Sequence, residues 1–342
     1  MRQTYTVRYL AVSVWGRDLK TVDEESLNYL RSSFELAGFE IVGVDDPTAQ
    51  FYVAFEHDST NLRLISKQVP LPKRYLIIFE PRSVHPRQYL TWIRSRYGSV
   101  LVPTKYQALG KHDVVYGGGG FYKVMDAPEG QPILMRPVKT LAIVNENKFS
   151  FVRKSLYTFR ARAIEEFGRL GFKVNLGGKN WDKPIWWHVT KQAWHFFDTI
   201  LACQLPDISK FRLKLGFGIP GINYVGEVKS AVQHLSESRF ALVIENEPTY
   251  VTEKLFLAIQ AGSVPIYVGP PLREFGIPEQ IAIPLSANKS AIKKLNLNLC
   301  DQDIVRISEA GWKWAISEQT ISRWLQRNIF DRLVAYLGET LE

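Results

Sequence analysis

The chain has 342 residues, 46% of them hydrophobic and 23% charged, and a formal net charge of +9. That length suits two domains of ordinary size, and the apolar fraction is too high for a disordered chain. No run of about 18 apolar residues occurs, which excludes a bilayer-spanning helix. Cys203 and Cys300, the two cysteines, give neither a disulfide framework nor a zinc-ligand spacing, and they read as reduced core thiols of a cytosolic protein. Charge and polar groups interrupt the N-terminal ten residues, so no signal peptide is read there. The basic balance suits an anionic partner without choosing among a nucleotide, a nucleic acid and an acidic membrane face.

Taken in order, residues 6–15 read as a strand. Residues 22–37 read as an amphipathic helix with Leu27, Leu30, Phe34 and Leu36 as its apolar set, ended by Gly38. Short strands are expected at 40–44, 50–55, 75–79 and 100–103, and helices at 61–66 and 86–96. Strands alternating with helices at this spacing predict a Rossmann-like parallel sheet. The 75–79 strand ends in Phe79-Glu80-Pro81-Arg82, which puts a carboxylate where such sheets hold ligands. Glu80 equally suits a strand-end acid paired with Arg82. The glycine run at 117–120 lacks the Gly-Lys-Ser/Thr of a phosphate loop and reads as a plain loop. Residues 123–136, rich in Pro, Gly and charge, read as an interdomain linker.

In the second half, a strand at 139–145, a helix from about residue 151 to 168 and a strand at 172–176 predict a second Rossmann-like domain. Residues 181–197 hold Trp181, Trp186, Trp187, Trp194, Phe196 and Phe197, an aromatic run that suits either core packing or sugar stacking. Asp301-Gln302-Asp303 matches a metal–diphosphate clamp formally, but its late position favours a helix cap. Residues 304–341 carry apolar stripes at helical spacing, suited to packing or to an anionic membrane face.

The most informative stretch is 240–271. A short apolar run, 240–244, is followed by a polar loop, a helix start at Thr252, a stop at Gly262 and a second apolar run at 264–268. This strand–helix–strand unit predicts a ligand crevice at the carboxyl end of its first strand. The free N–H groups and partial positive charge of a helix start attract phosphate. Lys254 adds a full charge there, and Glu253 can accept hydrogen bonds from sugar hydroxyls, a combination that suits a nucleotide sugar. Both residues also suit an ordinary solvated first turn.

Glu245-Asn246, then Tyr250-Val251-Thr252-Glu253-Lys254, then Ala261 to Gly269 resemble, in order and in register, the donor signature of the α1,3/α1,4-fucosyltransferase family. The resemblance covers roughly residues 141–284 well and the first domain loosely. It implies a GT-B fold, α/β with two Rossmann-like domains facing a cleft: an acceptor domain over 1–138, a GDP-sugar donor domain over 139–303, and a helical segment over 304–342 that crosses back to the first. The implied activity is inverting transfer of fucose from GDP-fucose to a glycan hydroxyl, by a soluble bacterial type of enzyme. Glu80 would be the base, because bacterial members end a similar strand in Glu and inversion needs a carboxylate to take the acceptor proton. Arg153, just past a strand-end Asn and four residues before Tyr157, would grip the donor phosphates, with Arg160 in reserve. Lys254 would neutralise the departing GDP, Glu253 would bind the ribose, and Asn246 and Tyr250 would line the pocket. No cofactor and no metal are expected. The implied acceptor class is a lipopolysaccharide or other surface polysaccharide, and the implied location is cytoplasmic, at most peripheral to the inner membrane face, with no nucleic-acid partner. Transfer of another GDP-deoxyhexose is the nearest alternative, and a non-catalytic basic module binding nucleic acid or glycan is the alternative from a different class.

Overall fold

The structure, a computed structural model, describes residues 8–22, 25–102, 113–115, 131–191, 193–201, 220–295, 297 and 299–317. The glycine run at 117–120, Cys203 and the tail from residue 318 lie outside the described residues. The chain divides into two compact units, one within Met1–Gly118 and the other within Gly119–Leu325.

The first unit is built on β1 (Arg8–Val14), β2 (Arg17–Asp18), β3 (Phe39–Val42), β4 (Phe51–Phe55), β5 (Arg74–Ile77), β6 (Ser99–Val102) and β7 (Asp113–Val115). β1 pairs antiparallel with β2 and parallel with β3 and β4, and the sheet continues through β5 and β6 to β7. Its parallel strands therefore run β3-β1-β4-β5-β6-β7, an order that reverses between β1 and β4. Every residue of β4 is buried. A parallel strand covered on both faces takes a continuous apolar run, which is why composition alone locates it.

Two expectations for this unit change. On α1 (Glu25–Leu36), Leu27, Leu30 and Phe34 are buried, but Leu36 is 90% exposed. Two positions beyond Phe34 is about 200° around the helix, on the opposite face. The expected helix over 86–96 is instead a 3-10 turn (Pro86–Tyr89) and a single helical turn, separated by Leu90 in an extended conformation (ψ 128°). The short α2 (Ser59–Ile65) is capped by Asp58, whose carboxylate accepts the Asn61 N–H. The single helical turn is α3 (Thr91–Arg94).

The second unit holds β8 (Thr140–Val144), β9 (Lys173–Gly177), β10 (Ile222–Gly226), β11 (Phe240–Ile244), β12 (Val264–Val268) and β13 (Ile283–Pro284), all parallel. Their order is β10-β9-β8-β11-β12-β13, so direction reverses between β8 and β11. Successive residues of β11 face opposite layers. Phe240, Leu242 and Ile244 join Phe167 of α4 (Tyr157–Arg169), whereas Ala241 and Val243 belong to the layer of Leu255, Ala258 and Ile259.

α4 starts at Tyr157, six residues later than expected. Phe149 and Phe151 pack edge to face (4.9 Å) in the loop, Arg153 and Lys154 form an exposed turn, and Ser155 Oγ accepts the Tyr157 N–H (3.3 Å). Beyond Trp181, which lies in the turn before it, the aromatic run falls on α5 (Ile185–Lys191) and α6 (Ala193–Leu201), and it does not share one environment. Trp181 is buried and its indole donates to the Asn145 carbonyl (2.7 Å), whereas Trp194 is 78% exposed.

After α7 (Ala231–Ser236) comes α8 (Glu253–Gln260), capped by Thr252 and closed at Gly262 (φ 64°), as expected. α9 (Lys289–Lys294) and α10 (Asp301–Ala315) complete the described residues, with the Trp314 ring of α10 packed at a tilt of 38° against Phe256 of α8 (5.4 Å between ring centroids). Asp301 and Asp303 do not cap α10. Cys300 holds that position, and the two acids sit in the first turn, paired to Arg239 (3.3 Å) and Arg306 (2.8 Å). Cys300 itself is exposed rather than a core thiol, since it marks the helix entry at the surface. Residues 131–136 are not a free linker. The buried Arg136 guanidinium donates to the carbonyls of Ser238 and Ala261 and to Ser263 Oγ, anchoring the segment in the second unit. Among the described residues no helix is long and apolar enough to cross a membrane.

Candidate functional site

In open parallel sheets, ligands bind beyond the carboxyl ends of the strands where the order reverses. In the second unit that place is the loops after β8 and β11. Glu245 follows β11 directly and is fully buried. Its Oε1 accepts the Thr252 N–H (3.0 Å) and its Oε2 accepts the Thr252 hydroxyl (2.6 Å). Lys254 Nζ donates to that hydroxyl (3.1 Å) and lies 3.8 Å from Oε2. Burial pushes the Glu245 carboxyl above its ordinary range, and the Lys254 charge opposes that shift. The strand end is thereby tied to the helix start, and the ammonium is held beside the first turn of α8. Gly269 permits this approach, because a Cβ there would fall 2.8 Å from Glu245 Cγ.

Asn246 links the remaining groups. Its Oδ1 accepts from Arg160 Nη2 (3.2 Å) and from Lys254 Nζ (3.5 Å), while its Nδ2 donates to the Tyr250 hydroxyl (2.8 Å). Arg160 is buried, donates to the carbonyls of Ile244 (3.1 Å) and Glu146 (3.3 Å), and lies over the Tyr157 ring (5.1 Å). It therefore spans the loops after β8 and β11. Burial lowers its pKa, partly offset by Tyr157 and Glu245. Arg153 sits outside this network on the exposed turn before α4, and Glu253 is exposed in the first turn of α8. Four of the residues named from the sequence, Arg160, Asn246, Tyr250 and Lys254, thus form one connected group.

Removing the Arg160 guanidinium should be costly to the fold. Arg160→Met leaves the buried Ile244 carbonyl without the guanidinium donor and Asn246 Oδ1 with Lys254 alone. At about 1–3 kcal/mol per buried unsatisfied group, we expect roughly 1–3 kcal/mol lost. A lower urea midpoint with an unchanged m-value would record it.

In the first unit, Glu80 lies just past β5. Its N–H donates to Glu56 Oε1 (2.8 Å), and its carbonyl accepts from Gln88 Nε2 and the Tyr89 hydroxyl (3.0 Å each). Arg82 lies over the Tyr89 ring (5.1 Å). Glu56 was not singled out from the sequence. The available signal was a carboxylate directly after the five-residue apolar run of β4, the same pattern that drew attention to Glu80.

The chain matches no protein-family description and no curated protein sequence. Among solved structures it is similar to TarM, with 13% identity and a TM-score of 0.51, covering 85% of this chain and 55% of TarM. It is similar also to a glycosyltransferase from Rickettsia africae ESF-5, with 8% identity and a TM-score of 0.51, covering 99% of both chains. The fold is GT-B. An α1,3-fucosyltransferase aligns at 14% identity over 99% of this chain and 91% of its own, with a TM-score of 0.47 that adds nothing to the assignment. The chain spans about half the length of TarM.

Two Rossmann-like sheets, each with a strand-order reversal, make up this GT-B chain. The second presents a cation, an amide and a phenol at the start of a helix, groups that can bind a diphosphate and its attached sugars. Among the described residues no group of three or more His, Cys, Asp and Glu is placed to hold a metal ion.

Proposed function

We propose that the chain is an inverting glycosyltransferase that moves fucose from GDP-fucose to a hydroxyl of a glycan. The observation that carries this reading is the Arg160–Asn246–Tyr250–Lys254 network at the amino end of α8, set beside the strand-order reversal of the second sheet. The choice of GDP-fucose is supported by the resemblance of residues 245–269 to the fucosyltransferase donor signature. The proposed acceptor is a glycan such as a surface polysaccharide.

In this mechanism the acceptor hydroxyl attacks the anomeric carbon and the carbon–oxygen bond to the β-phosphate breaks. Glu80 takes the hydroxyl proton, and GDP leaves with the bonding electrons. Negative charge grows on the departing phosphate, where Lys254 and the N–H groups of α8 stabilise it. Arg153, on its exposed turn, closes on the same phosphates, and Arg160 holds Asn246 in place. Glu253 takes a ribose hydroxyl, and Asn246 and Tyr250 line the pocket. Phosphate charge is met by side chains and the helix start, without a metal.

GDP should raise the melting temperature in proportion to the logarithm of its concentration, and oligonucleotides should not. The decisive assay incubates GDP-fucose, GDP-mannose and UDP-sugars with a glycan array and reads product by mass spectrometry. Transfer from a UDP-sugar alone would overturn the donor assignment, and protection by oligonucleotides alone would overturn the enzyme reading.

A further inference from the structure

Glu56 follows β4 directly, at the strand-order reversal of the first sheet. It is 3% exposed, and its backbone is left-handed at φ 69°, a conformation non-glycine residues rarely adopt. Such strain persists only where the surroundings enforce it, and it concentrates at functional sites. Glu56 Oε1 accepts two backbone N–H groups, from Phe79 (2.6 Å) and from Glu80 (2.8 Å). Its Oε2 is buried with no hydrogen-bond donor directed at it. The Gln88 amide lies beside the Glu56 carboxyl and donates to the Glu80 carbonyl, as does the Tyr89 hydroxyl. The Glu80 backbone is therefore gripped on both sides, its N–H by Glu56 and its C=O by Gln88 and Tyr89.

The same surroundings decide the charge state. An oxygen shut away from water without a donor is a poor home for negative charge. Burial, opposed by the N–H groups of residues 79 and 80 and the Gln88 amide and reinforced by the charge of Glu80, pushes the Glu56 carboxyl up to about 8. On its own segment, burial pushes His57 down to about 4, which leaves it neutral, and the Asp58 carboxylate is engaged in capping α2. Gln88 and Tyr89, which pack from the turn, carry no charge at neutral pH.

We propose that Glu56 is a positioning residue for Glu80: its carboxyl, buried at the strand-order reversal of the first sheet, accepts the Phe79 and Glu80 N–H groups and so fixes the Glu80 backbone. The proposal rests on the reading of Glu80 as the base, and adds to it a residue that touches neither substrate. The charge of Glu80 disfavours a second charge on Glu56. A neutral neighbour that still accepts two N–H bonds gives Glu80 a fixed backbone without a competing charge.

The test compares Glu56→Gln and Glu56→Ala with wild type. The Gln variant keeps an acceptor for both N–H groups and is neutral at every pH. It should turn over within about threefold of wild type at pH 7, whereas the Ala variant should lose at least about tenfold in kcat with GDP affinity unchanged. As pH rises through about 8, wild-type kcat should fall as Glu56 ionises, and Glu56→Gln should lack that fall. A merely structural role would not move the alkaline limb. Wild-type kcat in the Ala variant, or the same alkaline limb in wild type and Glu56→Gln, overturns the proposal. The latter comparison stands even if the Ala variant does not fold.

A stability measurement separates this proposal from the functional reading. A carboxyl raised from 4.5 to about 8 keeps, in the folded state, a proton that the unfolded chain releases. Wild-type stability should therefore fall as pH rises through that window, and Glu56→Gln should not show this component. If wild type transfers sugar from no nucleotide donor, the glycosyltransferase reading fails and the positioning of a base fails with it. Matching pH slopes in the two proteins overturn the acid form of Glu56 whether or not transfer is seen.

Discussion

Glu80→Gln is expected to lower kcat for sugar transfer by about 10²–10⁴-fold, the range for a lost general base, while leaving GDP affinity at its wild-type value. The separation follows from the fold. Glu80 follows β5 in the first unit, whereas the proposed nucleotide contacts all belong to the second, on the turn before α4, the loop after β11 and the start of α8. The backbone bonds that hold residue 80, from its N–H to Glu56 and to its carbonyl from Gln88 and Tyr89, do not involve its side chain. The amide therefore replaces the carboxylate without loosening the backbone clamp, and the capacity to accept a proton is lost. Calorimetry with GDP and initial rates with a saturating acceptor measure the two quantities separately. Full activity in Glu80→Gln would remove Glu80 from the base role. A parallel loss of GDP affinity would indicate that the carboxylate acts on the nucleotide instead.

The β11–α8–β12 unit was legible in the sequence because each of its boundaries has a local cause. β11 and β12 are continuous apolar runs buried on both faces, Thr252 is a side-chain cap, and Gly262 takes a left-handed φ. Where the cause is not local, the reading drifted. Helical spacing could not show that Phe149 and Phe151 pair with each other and delay α4 until Tyr157. Nor could it show that Arg136 is anchored by carbonyls more than 100 residues away. The same limit applies to the two sites. That Arg160 spans the loops after β8 and β11, while Arg153 stays on an exposed turn, depends on which loops the sheet order brings together. Glu56 escaped notice because its partners are the N–H groups of residues 79 and 80, and main-chain donors leave no trace in side-chain patterns.

Lys254→Ala is expected to weaken GDP binding by about 10–150-fold, the equivalent of one charge-assisted hydrogen bond of roughly 1.5–3 kcal/mol. The ammonium is held for this task before any ligand arrives. Thr252 and Asn246 accept from it, and the Glu245 carboxylate lies 3.8 Å away, so little side-chain freedom remains to be lost on binding. The substitution has a second effect of separate origin. Glu245 is fully buried and its carboxyl is already raised by burial, so removing the neighbouring cation raises it further. A folded-state carboxyl raised above its unfolded value loses stability as pH rises through that window. Lys254→Ala should therefore be less stable than wild type, and increasingly so toward neutral pH. Adding Glu245→Gln removes the buried charge and should recover the pH-dependent part of that loss, but it cannot restore a cation to the phosphate. The double variant should thus regain stability while its GDP Kd stays weak. If both properties recovered together, Lys254 would serve the fold through Glu245 and have no direct hold on the nucleotide.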